Sequence, residues 1–360
     1  MHQRIKKVRE ILRNRNLDSL FVSNQYNVSY LTGFSGLAPD EREGFFFITK
    51  SNAYLLTFPT YYGLFKNAKD GFTILNITIA KRLKDHLLEI IYREKIKTLG
   101  FEKTNLTIAE HLSLKEKLKV SLMDTEDIVE DLRVIKDEEE LHSIKKAALI
   151  TDRAFDFIKK KIKKGLTEKD IALEIEFFLK KHADGIAFSP IVAFNENAAI
   201  PHYLPTTNYK LRTNSLILLD FGARINGYCA DMTRIIFLGS PTNSQTRIYK
   251  TVLKAQSLAL ETLKVGVLGG KVDKIARDYI ISSGFPEYPH GLGHGVGLAI
   301  HEAPRLKKDG QDILKENMVV TVEPGIYIEG NCGVRIEDLV VMKKKGISIL
   351  SRSSKELIIL

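Results

Sequence analysis

Apolar residues recur along this chain with two periods, and the change of period marks its elements. Over 4–15, Ile5, Val8, Ile11 and Leu12 fall three or four apart, or side by side on one face, which predicts an amphipathic helix. The run 20–22 reads as a short strand. Residues 27–36, NVSYLTGFSG, read as a loop with a helical or turn segment. Strands are predicted at 45–48 and 53–57, on either side of the turn residues Ser51 and Asn52. Helices at 81–93 and 107–118 then alternate with a strand at 98–101. Such alternation predicts an α/β domain of about 125 residues. No catalytic set is visible within it.

The charged stretch 131–140 marks the crossing to a second domain, so the expected division is 1–130 and 131–360. Asp137 is placed to cap a helix over 138–160 whose Leu141, Ile144, Ala148, Thr151 and Phe155 share one face. Thr167, with Asp170 three residues on, predicts the start of another helix through a capping box. A strand is expected at 190–194, then a loop carrying Ile200-Pro201-His202-Tyr203. Helices follow at 244–264 and 272–283, and the remainder is strand-rich and punctuated by glycine. No period of 20 to 50 residues appears, so the chain is not a solenoid.

Within the second domain, 216–234 reads LILLDFGARINGYCADMTR. An apolar run leads to Asp220, and Asn226-Gly227 is a strong two-residue hairpin signal. With that turn at the centre, Asp220 faces Thr233 and Asp231 faces Gly222. The two carboxylates become diagonal neighbours on one face. Two such charges repel unless a proton or a cation compensates them.

Composition narrows the class. An apolar share of 44% is ample for packed cores. Cys229 and Cys332 are too few for a disulfide framework and fit a reducing compartment as buried filler. The basic start carries no apolar core of a signal peptide, and no apolar run approaches membrane-spanning length. The cytoplasm is therefore the expected location, with no membrane partner. The 54 basic and 44 acidic residues leave a net charge of +10. The lysines are scattered, without an arginine stripe and interleaved aromatics, so nucleic acid is not an expected partner.

Further chemistry lies near the C-terminus. Residues 290–302, HGLGHGVGLAIHE, lack the spacing of a phosphate loop and do not continue to a second histidine after His301-Glu302. A glycine-rich loop that turns His290, His294 and His301 into a common space is the better reading. Glu323, in TVEPG, and Glu337, in GVRIEDLV, sit on neighbouring arms inside apolar strand patterns, where an unpaired charge is costly. Asp220, Asp231, Glu323 and Glu337 supply four negative charges, and His294 adds a neutral nitrogen. Two divalent ions would balance them; such pairs lie roughly 3.5–4 Å apart and lower the pKa of bound water towards ~7. Oxygen-rich ligation with one imidazole favours Mn²⁺ over a thiolate-type zinc site.

The order Asp220, Asp231, His294, Glu323, Glu337, with IPHY, HGLGHGVG, HEAPR, TVEPGIYI and GVRIEDLVV, resembles the pita-bread metallopeptidases. More closely the chain resembles Xaa-Pro aminopeptidases and prolidases, and NVSYLTGFSG is similar to the small domain of that family. The resemblance implies a creatinase/prolidase-like α/β N-terminal domain. An α+β pita-bread catalytic domain with a curved antiparallel sheet follows it. It implies that Asp220 chelates one metal, that Asp231 and Glu337 bridge two, and that His294 and Glu323 bind the second. His202 and His301 look like the catalytic histidines that hydrogen-bond the scissile group and help move protons. His290 looks like a wall of the proline pocket, with Tyr327 lining it and Arg335 supporting a ligand. The chain departs from the family pattern at Ala299, where relatives commonly carry an acidic residue.

The expected activity is a dinuclear Xaa-Pro aminopeptidase, with two Mn²⁺ ions per chain and Co²⁺ or Zn²⁺ as alternatives. Its substrates are proline-containing peptides and its expected assembly is a homodimer. A prolidase limited to dipeptides is the alternative, kept open by Arg305, whose guanidinium could grip a dipeptide's C-terminal carboxylate.

Overall fold

Every residue of the strands Ser19–Val22, Gly44–Thr49 and Ala53–Thr57 is buried, as in a sheet covered on both faces. These strands belong to the first of two compact units, Met1–Arg133 and Val134–Leu360, in a computed structural model that describes residues 2–37, 41–65 and 71–360. The first unit carries a six-stranded mixed sheet in which Ser19–Val22 lies antiparallel to Gly44–Thr49 and parallel to Thr98–Glu102. Phe21, Phe45, Phe47, Leu87, Ile90 and Leu99 pack into its core.

Two departures from the periodic pattern have a physical cause. Thr73–Asn76 and Ser121–Thr125 are the edge strands of this sheet, the first half-buried and the second largely exposed, so no apolar run announces them. Gln25–Thr32, where only a helical or turn segment within a loop over 27–36 was expected, is a helix capped by the Asn24 side chain and ended by Gly33 at φ 72°. Seven of its residues are buried, Gln25, Asn27 and Ser29 among them, so an amphipathic period is missing.

The helices of the second unit start where their caps predict. Asp137 and Glu140 form a capping box before Glu138–Lys159, Thr167 and Asp170 one before Glu168–His182, and Thr242 and Gln245 one before Asn243–Thr262. These helices and Gly269–Ser282 accompany mostly antiparallel sheets, with one parallel pair at Ile236↔Ile358.

Two hairpins organise this unit. In the first, Ser215–Asp220 pairs with Thr233–Leu238 and Asp220 faces Thr233, the expected register. Asn226 and Gly227 both have positive φ, 51° and 81°, as a type I′ turn requires. Arg224↔Cys229 and Ile225↔Tyr228 keep the same register beside the turn. Regular strand nevertheless stops at Asp220 and resumes at Ala223. The second hairpin repeats the device. Val322↔Asp338 and Gly325↔Arg335 share one register, and the ladder lapses between them at Glu323-Pro324 and Ile336-Glu337. Pro324 has no N–H to donate to a ladder. In both hairpins the acidic residues stand at the interruption.

The glycine-rich stretch is more ordered than a loop. Gly293–Gly295 is a strand pairing with Glu302–Leu306 on one side and with Val320 on the other. A Cβ on Gly293 would lie 2.0 Å from the Thr321 carbonyl oxygen, so glycine permits this close approach. No helix among the described residues is long and apolar enough to cross a membrane.

Candidate metal centre

The interrupted hairpins and the Gly293–Gly295 strand bring their polar side chains to one cavity of about 580 Å³. Asp220, Asp231, His294, Glu323, Glu337, His202, His290, His301, Arg305 and Arg335 all line it. Tyr327 is not among the lining residues. Its hydroxyl instead meets His290 Nε2 at 2.8 Å and accepts from Arg335 Nη1 at 2.9 Å.

Asp231, His294 and Glu337 each place one ligating atom within 4.8 Å of the others. His294 Nε2 lies 3.3 Å from Glu323 Oε1 and 3.7 Å from Asp231 Oδ2. Asp220 is held by Arg335 Nη2 at 2.5 Å, so Arg335 supports Asp220 directly. It reaches Glu337 only through Thr233: Arg335 Nε donates to Thr233 Oγ1 at 3.0 Å, and that hydroxyl donates to Glu337 Oε2 at 2.7 Å.

Thr321 plays the matching part on the other hairpin. Its hydroxyl accepts from the His294 backbone N–H at 3.0 Å and lies 3.2 Å from Glu323 Oε1. Neither threonine stood out in the sequence. A signal was present: each lies two residues from an acidic ligand candidate on the same arm, Thr233 after Asp231 and Thr321 before Glu323.

The electrostatics of this cluster call for a cation. Burial raises the carboxyl of Asp231 well above its usual range, and the nearby Glu337, Asp220 and Glu323 charges push it further. Burial likewise raises Glu337 far up, with Glu323 and Asp220 adding to it, and raises Asp220 despite Arg335. Glu323 goes the other way: burial raises it, but His294, His290 and Arg335 outweigh that and hold it at about 2. Asp220 Oδ1 and Glu337 Oε1 are buried without a hydrogen-bond partner. Orphaned buried oxygens are costly, and a divalent cation would satisfy both. The donor set therefore fits the divalent metal that the sequence implies.

The histidines stand around this cluster. His301 lies with its ring centroid 4.4 Å from that of His294 in an edge-on contact. Burial, then the neighbouring His294, lowers its pKa to about 4. Burial also lowers the pKa of His290. Its Nδ1 meets the Gly291 carbonyl at 2.7 Å, which makes Nδ1 the donor and leaves Nε2 to accept from Tyr327. Both cysteines are buried and free, and burial raises each thiol to about 11.

Residues 142–344 match metallopeptidase family M24, and residues 4–135 match the Creatinase/Prolidase N-terminal domain. The chain belongs to metallopeptidase family M24. This metallopeptidase is 35% identical over 363 aligned residues to an Xaa-Pro dipeptidase of Pyrococcus horikoshii, with 99% of each chain covered. Its structure is similar to an Xaa-Pro dipeptidase from Bacillus anthracis, with a TM-score of 0.94, 35% identity, and 100% and 99% of the two chains covered. It is also similar to an X-Pro aminopeptidase from Thermotoga maritima, with a TM-score of 0.88, 31% identity, and 96% and 98% covered. The metallopeptidase thus consists of a creatinase-type N-terminal domain followed by a pita-bread catalytic domain.

Proposed function

We propose that this metallopeptidase is a prolidase, hydrolysing Xaa-Pro dipeptides with two divalent ions held by Asp220, Asp231, His294, Glu323 and Glu337. The observation that carries the dipeptide reading is Arg305. It lines the same cavity as the carboxylate–histidine cluster, and its guanidinium has no ion pair among the described residues. A cation there matches the carboxylate of a substrate that ends at proline. The Xaa-Pro dipeptidases among the similar proteins support the same choice and favour the dipeptidase over the aminopeptidase expected from sequence. The Thermotoga maritima similarity keeps the aminopeptidase as the second reading. The oxygen-rich donor set favours Mn²⁺.

Divalent ions at this site supply Lewis-acid polarisation of the scissile carbonyl and an activated water at neutral pH. The surrounding side chains do the rest. His301 is neutral at pH 7, so one ring nitrogen donates a hydrogen bond to the scissile carbonyl oxygen and the other accepts. His202, on the exposed loop after Pro201, closes the same space and takes part in moving the proton. His290, fixed in one tautomer by Gly291 and Tyr327, presents its ring to the proline. An Xaa-Pro bond has no N–H, so a site that acts on its carbonyl needs no acceptor for one.

The test is a side-by-side assay of the manganese-loaded protein on Xaa-Pro, Xaa-Pro-Yaa-Zaa and Xaa-Ala. The dipeptidase predicts turnover of Xaa-Pro well above both others. Faster cleavage of the tetrapeptide replaces it with the aminopeptidase.

A further inference from the structure

Among the described residues, two cations at this cavity, not one, have no ion pair. Lys307 lines it together with Arg305 and His290. His301, Arg305 and Lys307 are exposed, while Pro304 and Leu306 between them are buried, so alternate residues of this strand and its extension face the cavity. The stem of Lys307 lies against Gly291, next to His290: a Cβ on Gly291 would stand 3.2 Å from Lys307 Cβ. The neighbouring Lys308 is committed elsewhere, 3.6 Å from Glu287 Oε2. Lys307 has no ion pair among the described residues. Arg335, also in the cavity, is already engaged by Asp220.

We propose that Lys307 is a specificity-determining residue that, with Arg305, binds the free C-terminal carboxylate of the substrate. This inference rests on the dipeptidase reading and deepens it. A dipeptide ends in a free carboxylate, and Arg305 and Lys307, without an ion pair among the described residues, bring two positive charges to this cavity. In Xaa-Pro the carboxylate is attached to the proline ring itself. A ring seated against His290 therefore brings its carboxylate close to the residue packed on Gly291. In a longer peptide the same position holds a neutral amide, and the lysine gains nothing. Lys307 thus favours substrates that end at proline.

The test compares wild type with Lys307→Met, which keeps the apolar stem, and with Lys307→Arg, which keeps the charge. The probes are alanyl-proline and an Ala-Pro-initiated tetrapeptide, with metal content measured on each protein. For an exposed charge, Lys307→Met raises KM for alanyl-proline roughly three- to fivefold at low salt. It leaves kcat unchanged, because the contact is equal in ground and transition states. The difference shrinks at ~0.5 M salt, where screening is within a few ångströms, and Lys307→Arg keeps the wild-type KM. The tetrapeptide parameters stay the same in all three proteins. A Lys307→Met enzyme with the wild-type KM for alanyl-proline overturns the proposal, as does an equal loss on the tetrapeptide. The dipeptidase reading is scored separately, on the wild type alone, by whether it prefers alanyl-proline to the tetrapeptide.

Discussion

Asp231 and Glu337 hold protons more tightly than ordinary carboxyl groups, because burial and their acidic neighbours both disfavour the charge. A metal must displace those protons, since it binds the carboxylate form. Metal binding is therefore expected to release protons and to strengthen as pH rises above the ordinary carboxyl range. Calorimetric titration of chelator-treated protein in two buffers of different ionisation enthalpy measures that release; equal heats in both buffers would contradict it. Thr233 is a second residue-scale case. Thr233→Val removes the hydroxyl between Arg335 and Glu337 and leaves buried polar groups without partners. A loss of ~1–3 kcal/mol in stability is expected, with metal affinity down roughly 10–100-fold. Urea denaturation and a metal titration check the two parts. Arg305 lies between the ~0.2–1 kcal/mol of an exposed pair and the ~2–5 kcal/mol of a desolvated one. Arg305→Ala is thus expected to raise KM for Xaa-Pro about tenfold, or ~1.4 kcal/mol, with metal content unchanged.

At the scale of elements, the site exists because two hairpins lose their ladders at the same kind of place. Asp220 ends a strand, Asp231 precedes the next, and Glu323 and Glu337 lie in the gap of the other hairpin. Asp231, Glu323 and Glu337 sit where the ladder lapses, and Asp220 makes the last pair before the gap. His294 is delivered by a third strand that fits only because Gly293 has no side chain. Gly293→Ala would force a methyl group onto the Thr321 carbonyl and push this strand away from its neighbour. The expected outcome is loss of bound metal together with a lower melting temperature; a variant that keeps full metal content would show that His294 does not depend on this close approach. The same scale explains what pattern reading missed. The edge strands Thr73–Asn76 and Ser121–Thr125 are too exposed for an apolar period, and the helix Gln25–Thr32 is too buried for an amphipathic one.

For the whole molecule, the candidate metal cluster lies entirely in the unit Val134–Leu360. Ligand binding stabilises only what it binds, by about 2.7 kcal/mol at a hundredfold excess over Kd. For a unit of this size, each kcal/mol is worth about 2–4 °C. Scanning calorimetry should therefore show the transition of this unit raised by about 5–10 °C on metal addition. The pH dependence has a definite sign. A carboxyl group whose pKa is raised on folding stabilises the fold only while protonated. Metal-free protein thus loses stability as pH climbs above the ordinary carboxyl range and through the raised values of Asp231, Glu337 and Asp220. Glu323, held at about 2, contributes stability that is lost only on acidification below the ordinary carboxyl range. The melting-temperature gap between metal-loaded and chelated protein should widen as pH rises above the ordinary carboxyl range; a gap independent of pH would contradict the raised values.

By itself the sequence determined what depends on local chemistry. The Asn226-Gly227 turn set the register that puts Asp220 opposite Thr233, because only residues tolerant of positive φ close a two-residue hairpin. Asp137 and Thr167 set helix starts, because a side-chain oxygen satisfies the free N–H groups there. The candidate ligands were legible because charged residues inside apolar strands demand a partner. Tertiary structure alone decided which groups meet across the chain. It routed Arg335 to Asp220 rather than straight to Glu337, set Thr233 between them, and gave Tyr327 to His290 instead of the cavity wall. It also set the strand Gly293–Gly295 within the glycine-rich stretch, and it laid the stem of Lys307 on Gly291. Those contacts join residues distant along the chain. No local periodicity encodes them, because they depend on where interrupted strands from separate hairpins come to lie.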